Sequence, residues 1–490
     1  MPTSLQFATA TIMGLPFLAI LILNLVNRKT GNQLALGVGI IVAVIQMISA
    51  IICAGLLWAN QKDFIDFSIF WNMTDSAFAG RLSIDFFSIV VLFCIGMVSF
   101  ISFLTAKQTV GDKKLNFTNL LMVIMLGMNG IAVVTDLFSL YVFLEITGIA
   151  SFVLIALFKD PEGLEGAFKY LIMSAIASAF LLISMACIFM NVGSLVYSDV
   201  AAAMLNWQAA DQPLFLMAAF IFFIAGICIK AGVAPFHGWL PDAYQSAPAP
   251  VSVLLGGIVT KVAGVYAIIR ITSDVFSGVA TINMILMILG TISIVFGAVA
   301  TLSQKDFKRI LAYSSISQIG YIVLGISTGS PIGFLGAVLH FFNHATFKTT
   351  LFVNSASLEK QVGTRDINEM GGLEGKMPLT NVSTILAFLS TSGIPPLAGF
   401  WSKLLIIIAV WQAGAHFVAG TAVFASVFTL AYFLFVMRHV FYGPLKEGLE
   451  DVKETKGSLA LATVLLSIVT VGFGVLFPFV LRFLQAQGML

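Results

Sequence analysis

Apolar stretches of about 20 residues recur from one end of this chain to the other, and nothing else constrains its fold as strongly. A helix that crosses the hydrocarbon core of a bilayer needs about 20 mostly apolar residues. Such runs stand near residues 8–26, 35–59, 84–106, 118–135, 136–158, 164–193 and 213–234. They resume near 251–269, 280–302, 310–328, 331–358, 378–412, 417–441 and 457–483. The pattern predicts an all-α polytopic membrane protein with about fourteen transmembrane helices. Of the 490 residues 59% are hydrophobic and only 10% charged, where a soluble chain carries about a quarter charged residues. The mean hydropathy of +1.02 points the same way. A soluble protein is excluded.

Two of these runs are interrupted. The seventh ends against Pro235 and continues into "FHGWLPDAY", and the twelfth is broken by "SGIPPLAGF" at Pro395 and Pro396. A helix broken at membrane depth is tolerated only where protein or a wet cavity satisfies the freed backbone groups. No loop is long enough for a soluble domain, so residues 1–490 read as one membrane domain.

Loop charges set the orientation. Loops after the odd-numbered spans hold sixteen lysines and arginines, Lys308 and Arg309 among them, whereas those after the even-numbered spans hold only Lys62, Arg81 and Arg270. Both termini are therefore expected on the outer side. No lysine or arginine precedes the first apolar run, which reads as a retained span rather than a signal peptide. A net charge of +2 gives no reason to expect a nucleic-acid partner. The four cysteines, Cys53, Cys94, Cys187 and Cys228, stand singly in apolar stretches, so neither an iron–sulfur cluster nor a zinc site is expected.

What remains is a set of charges inside the spans. Lys169, Lys230, Lys261, Lys348 and Lys403 fall within apolar runs, against a single mid-helix acid, Glu145. An ionised group at bilayer depth costs at least about 2.5–3.5 kcal/mol, so such groups pair, face a wet cavity, or change protonation state. One acid cannot pair five lysines, and a series of finely balanced amines can pass a proton. His340, His344 and Lys348 recur every four residues and share one helix face. The two histidines are not expected to bind haem or metal, because the remaining histidines lie at span ends or in loops. Lys169 lies only a short way into its span and could equally contact the cytoplasmic side or snorkel.

Four segments, "PFHGWLPDAYQSAPAPVSVLLGGIVTKVAGVYAIIR", "LSQKDFKRILAYSSISQIGY", "LHFFNHATFKTTLF" and "SGIPPLAGFWSK", carry a family resemblance. Together they resemble the antiporter-like membrane subunits of respiratory complex I, the D-type subunits of Mrp-type sodium/proton antiporters, and their membrane-bound hydrogenase relatives. The resemblance implies three N-terminal spans (1–117) and two inverted five-helix repeats (spans 4–8 and 9–13, residues 118–270 and 280–441). A C-terminal span (457–490) would follow, and each repeat would hold a broken helix. It implies a proton relay of Glu145, Lys230, Lys261, His340, His344, Lys348 and Lys403, with no cofactor in this chain. Implied partners are other membrane subunits, lipids, protons, and either peripheral iron–sulfur subunits or sodium. The implied location is an energy-transducing membrane, the prokaryotic cytoplasmic membrane. The chain departs from the family pattern at Gln318, where histidine is frequent, and amide cannot titrate. It stops at Leu490, short of the lateral helix of the largest member type. Length, Lys403 and "GFWSK" fit best with the Mrp D-type branch and its hydrogenase relatives, a complex I member of the N or M type standing close behind.

The function this implies is a proton-translocating subunit of a multi-subunit, redox-driven complex. The alternative is an Mrp D-type member without redox chemistry. Glu145 would hold Lys230 charged. Its withdrawal would release a proton toward Lys261, then along His340, His344 and Lys348 to Lys403.

Overall fold

The computed structural model describes residues 2–59, 64–67, 82–208, 214–276 and 279–486. The loop cations Lys62 and Arg81 lie outside them. The helices are α1 (Pro2–Leu25), α2 (Arg28–Ala59), α3 (Phe86–Thr109), α4 (Lys114–Val133), α5 (Leu137–Ile155), α6 (Pro161–Val192), α7 (Tyr197–Gln208) and α8 (Leu214–Ala231). Two short helices follow, α9 (Leu240–Ser246) and α10 (Ala249–Leu254), and α10 runs on through wide π-helical turns and α11 (Ala267–Arg270) to Val275. Then come α12 (Ala280–Leu302), α13 (Phe307–Ser327), α14 (Pro331–Val362), α15 (Pro378–Ser392), α16 (Ala398–Gln412), α17 (His416–Val440) and α18 (Ser458–Ala486). The chain is an all-α polytopic membrane protein.

Ten helical segments among the described residues are long and apolar enough to span a bilayer, and α1, α8 and α16 contain shorter apolar stretches. The 32-residue α14 is not among the ten. Its composition explains this: every residue from Asn343 to Leu358 is buried, and the buried set includes asparagine, histidine, lysine and several hydroxyls. This helix is surrounded by protein rather than lipid, so it need not be apolar. By contrast, Ile41, Ile48 and Ile52 on α2 are exposed, as side chains that meet lipid tails would be.

Local sequence signals end the helices where they should. Asp136, Asp160, Asp306 and Ser330 each accept a hydrogen bond from a backbone N–H three residues on, and Pro161 and Pro331 occupy first-turn positions. Gly193, Gly363 and Gly393 stop α6, α14 and α15 with φ of +76°, +82° and +80°, a region glycine enters without penalty. Two elements lie outside the expectation from sequence. Strands β1 (Phe64–Phe67) and β2 (Leu82–Asp85) form an antiparallel pair with Phe64 opposite Asp85, too short to leave a periodic signal. The amphipathic α7 lies between the sixth and seventh runs, tied down by Tyr197 N–H to Thr135 O at 3.0 Å.

The chain forms two compact units. Unit 1 comprises residues 1–103, 110–232 and 258–282, and unit 2 comprises 104–109, 233–257 and 283–490. Within unit 1, α6 packs on α8, α4 on α5, and α1 on α2 and α4. Gly226 makes the first contact close: a Cβ there would lie 3.0 Å from Ala177 O and 2.9 Å from Leu181 Cγ. Within unit 2, α14 packs against α13, α15, α16 and α18.

Arg270 corrects one expectation. Assigned to an outer loop, it instead ends α11 with its side chain only 15% exposed. It donates to Tyr266 Oη and Ser88 Oγ at 2.8 Å and forms ion pairs with Asp85 and Asp274. A cation flanked by two carboxylates at a helix end can be drawn inward, which counting loop charges does not register.

Candidate proton-relay site

In unit 1, α5 presents Glu145 and the last turn of α8 presents Lys230. Lys230 Nζ lies 2.8 Å from Glu145 Oε1 and donates to Ser174 Oγ at 2.7 Å. Ser178, one turn further along α6, donates to the same Glu145 oxygen at 2.5 Å. The lysine side chain is 1% exposed and the carboxylate 26%. The ammonium is thus sealed in protein while its counter-ion reaches the edge. Gly232, with φ of +69°, ends this helix just after Lys230.

Lys261 is fully buried in the wide-turn stretch Lys261–Tyr266. Gly264 sits there against α8, where a Cβ would come within 2.2 Å of Ala231 Cα. Unit 1 therefore places Glu145, Lys230 and Lys261 on packed neighbouring elements.

Unit 2 holds the second series. Lys348 Nζ donates to Leu311 O at 2.9 Å and also to Ser314 Oγ. The His340 and His344 rings lie 6.3 Å apart and nearly parallel, at 14°. His340 Nδ1 is 2.9 Å from Ser402 Oγ, whereas its Nε2 is buried with no hydrogen-bond partner among the described residues. Tyr321 lies 5.9 Å from the His340 ring, and Lys403 Nζ lies over the Tyr321 ring 4.3 Å from its centroid. Lys403 donates to Ser426 Oγ at 3.0 Å. The break between α15 and α16 makes this approach feasible: a Cβ on Gly399 would fall 1.8 Å from Ser390 O.

Gln318 is completely buried on α13 with neither amide atom bonded to any described residue, and among the described residues Asn343 Oδ1 is likewise unmatched. Buried polar atoms without partners are rare. Together with His340 Nε2 they mark the interior of unit 2 as a place suited to water.

Two further lysines are placed by the fold. Lys169, for which the sequence leaves contact with the cytoplasmic side and snorkelling equally open, has a side chain 42% exposed and pairs with Glu165, one turn earlier on α6, at 2.7 Å. Lys308, counted among loop cations, is buried in the first turn of α13. The supporting hydroxyls Ser174, Ser178, Ser402 and Ser426, and the Tyr321 ring, were not singled out either. Only the four-residue spacing of Ser174 and Ser178 in an apolar span was there to find them.

Residues 134–429 match the model of the family described as NADH:quinone oxidoreductase/Mrp antiporter, TM. The chain belongs to this family. It is 37% identical over 318 residues to the N-type subunit of NADH-quinone oxidoreductase from Desulforudis audaxviator, a match spanning 64% of this chain and 62% of that one. It is 31% identical over 393 residues to the D-type subunit of the Na(+)/H(+) antiporter from Alkalihalophilus pseudofirmus, covering 80% of this chain and 79% of that one. Among solved structures it is similar to a chain of the Mrp complex from Dietzia sp., with a TM-score of 0.87 at 25% identity over 97% and 96% of the two chains. It is equally similar to a chain of the membrane-bound sulfane sulfur reductase, an archaeal respiratory membrane complex. There the TM-score is 0.86 at 29% identity, over 97% and 95% of the two chains.

Proposed function

We propose that this chain is the proton-translocating, antiporter-like membrane component of a multi-subunit ion-pumping complex driven by redox chemistry in partner subunits. The observation that carries the reading is the Glu145–Lys230 pair, a buried ammonium held by a carboxylate and the Ser174 hydroxyl, with Ser178 donating to the same carboxylate. Breaking a buried pair costs about 3–5 kcal/mol. Moving one charge against 100 mV needs about 2.3 kcal/mol, so one such event is of the right size to drive one proton. In this reading a neighbouring subunit withdraws Glu145 and Lys230 gives up its proton to the interior, where Lys261 lies in the same unit. In unit 2, Lys348, His344, His340 and Lys403 form the second stretch of the relay. The chain carries no cofactor of its own. It works in the prokaryotic cytoplasmic membrane among other membrane subunits, lipids and peripheral iron–sulfur subunits, with both termini outside.

The likeness to the D-type member of an Na(+)/H(+) antiporter and to a chain of the Mrp complex supports a second reading. In it the same relay exchanges protons for sodium without redox chemistry. Mass spectrometry of the native complex, purified gently through a tag on this chain, separates the two. Iron–sulfur or hydrogenase-like partners support the redox-driven pump, and a set of small hydrophobic subunits alone supports the antiporter.

A further inference from the structure

Unit 2 contains a second ammonium–carboxylate pair with the same asymmetry as the first. Lys308 Nζ lies 3.1 Å from Glu359 Oε2, the lysine side chain 2% exposed and the glutamate 36%. Lys308 also donates to Ala247 O at 3.2 Å. Other ions surround it: Arg309 pairs with Asp242 at 2.6 Å, and Arg365 pairs with Asp306 at 3.2 Å. Gln245 joins these pairs, its amide nitrogen bonded to Asp306 and its amide oxygen to Arg309. These contacts already tie α9, the start of α13 and the segment after α14 together. A buried lysine is not needed for that, and a buried ion pair is a poor device for stability alone.

The pair also lies in register with Lys348. Lys348, Ser355 and Glu359 are separated by seven and four residues, so they share one face of α14. Along the helix Lys348 and Glu359 are about 16 Å apart. On α13, Lys308 precedes Leu311 by one turn, and the Leu311 carbonyl accepts from both Lys348 Nζ and Ser315 Oγ at 2.9 Å. Ser315 and Ser355 are both buried. Two helices thus lead from a part-exposed carboxylate, through a buried ammonium and two hydroxyls, to Lys348.

We propose that Lys308 and Glu359 form the proton-loading gate of unit 2, the counterpart of Lys230 and Glu145 in unit 1. This rests on the reading above that the chain conducts protons. In the step, an N–H bond of the Lys308 ammonium breaks and its proton passes inward through the hydroxyls and intervening water. An N–H bond forms on a neutral Lys348 amine. Lys308 is left as a neutral amine and is reprotonated from water on the Glu359 side, while Glu359 remains a carboxylate throughout and holds the returning charge.

The test is proton uptake by liposomes holding the purified native complex, energised by its own electron donor or by an imposed sodium gradient. Lys308→Arg keeps the charge and the contact to Glu359, but a guanidinium does not release its proton. The gate requires transport to fall at least tenfold in this variant with assembly intact on a native gel. Wild-type transport would reduce the pair to a structural brace and overturn the inference. Should the bulkier arginine prevent assembly, Glu359→Gln and Glu359→Asp decide. Slow transport in the first with recovery in the second supports the gate, and full transport in the first overturns it. Glu145→Gln runs alongside. Full transport there removes the underlying reading, whereas lost transport there with normal Lys308→Arg removes the gate alone.

Discussion

Glu145 and Lys230 face each other at 2.8 Å with unequal exposure, 26% for the carboxylate and 1% for the ammonium. The group that can be moved from outside is therefore the carboxylate, and the group whose proton is protected from water is the lysine. Glu145→Gln removes the charge at nearly constant volume and retains an oxygen that can accept from Ser178 and Lys230. The complex is expected to assemble in normal amount and to lose coupled proton transport by at least tenfold. Proton uptake in liposomes measures this, and an unchanged rate would remove Glu145 from the relay.

The serines beside this pair set its geometry. Ser174 accepts from Lys230, and Ser178 donates to Glu145 and so competes with the lysine for the same oxygen. A hydrogen bond to a charged group is worth about 1.5–3 kcal/mol, and about 1.4 kcal/mol corresponds to a factor of ten. Ser174→Ala and Ser178→Ala are each expected to slow transport roughly tenfold to a hundredfold, since each removes one hydrogen bond and leaves both charges in place. Threonine at either position keeps the hydroxyl and is expected to restore most of the rate. Equal loss in the threonine variants would mean that packing, not hydrogen bonding, is at stake.

How much of this could be read beforehand follows from what each residue requires locally. Lys230, Lys261, Lys348 and Lys403 stand in apolar runs, so their cost at membrane depth is visible in one dimension. Their burial matches that reading. Lys308 lacks that signature: it lies beside Asp306 and Arg309 near a span boundary, where a loop cation and a buried one look alike. Only the fold shows that Glu359, 51 residues on, curves back to meet it. For Lys169 the sequence leaves a cytoplasmic contact and snorkelling equally open, and the fold adds an exposed partner, Glu165, one turn away. The interruptions at Pro235 and Pro395–Pro396 were legible, since proline removes a backbone donor and restricts its predecessor. The wide π-helical turns around Lys261 were not, because no single residue type demands them.

The exposed Lys169–Glu165 pair has its own check. An exposed pair one turn apart contributes about 0.3–0.5 kcal/mol. Lys169→Ala is expected to transport at the wild-type rate and to shift the thermal midpoint of the complex by no more than a degree or so. Loss of transport in this variant would give the lysine a part in proton conduction.

The tightest backbone approach in unit 2 gives a prediction about stability. A Cβ on Gly399 would fall 1.8 Å from Ser390 O, whereas one on Gly420 would meet nothing within 4 Å. Gly399→Ala forces the start of α16 away from the end of α15, moving Ser402 and Lys403 with it. Overpacking of this kind costs about 1–3 kcal/mol or more. The expected result is lower yield of assembled complex and reduced transport in what remains. Gly420→Ala is the matched control and is expected to assemble normally, so equal behaviour of the two on a native gel would contradict the close approach.

Tyr321 offers the last test, because it serves Lys403 by two separable means. Its ring face lies 4.3 Å from the ammonium, and its hydroxyl donates to Ala422 O at 2.6 Å. A desolvated cation–π contact is worth about 2 kcal/mol or more, and a neutral hydrogen bond about 1 kcal/mol. Tyr321→Phe keeps the ring and gives up only the hydroxyl, so its transport is expected to stay within a few-fold of wild type. Tyr321→Leu removes the π face and leaves Ser426 as the one described hydrogen-bond acceptor for Lys403 Nζ. It is expected to lose transport more than tenfold relative to the phenylalanine variant, with both proteins assembled. If the two variants behave alike, the ring does not hold Lys403, and its position depends on Ser426 and on the α15–α16 break alone.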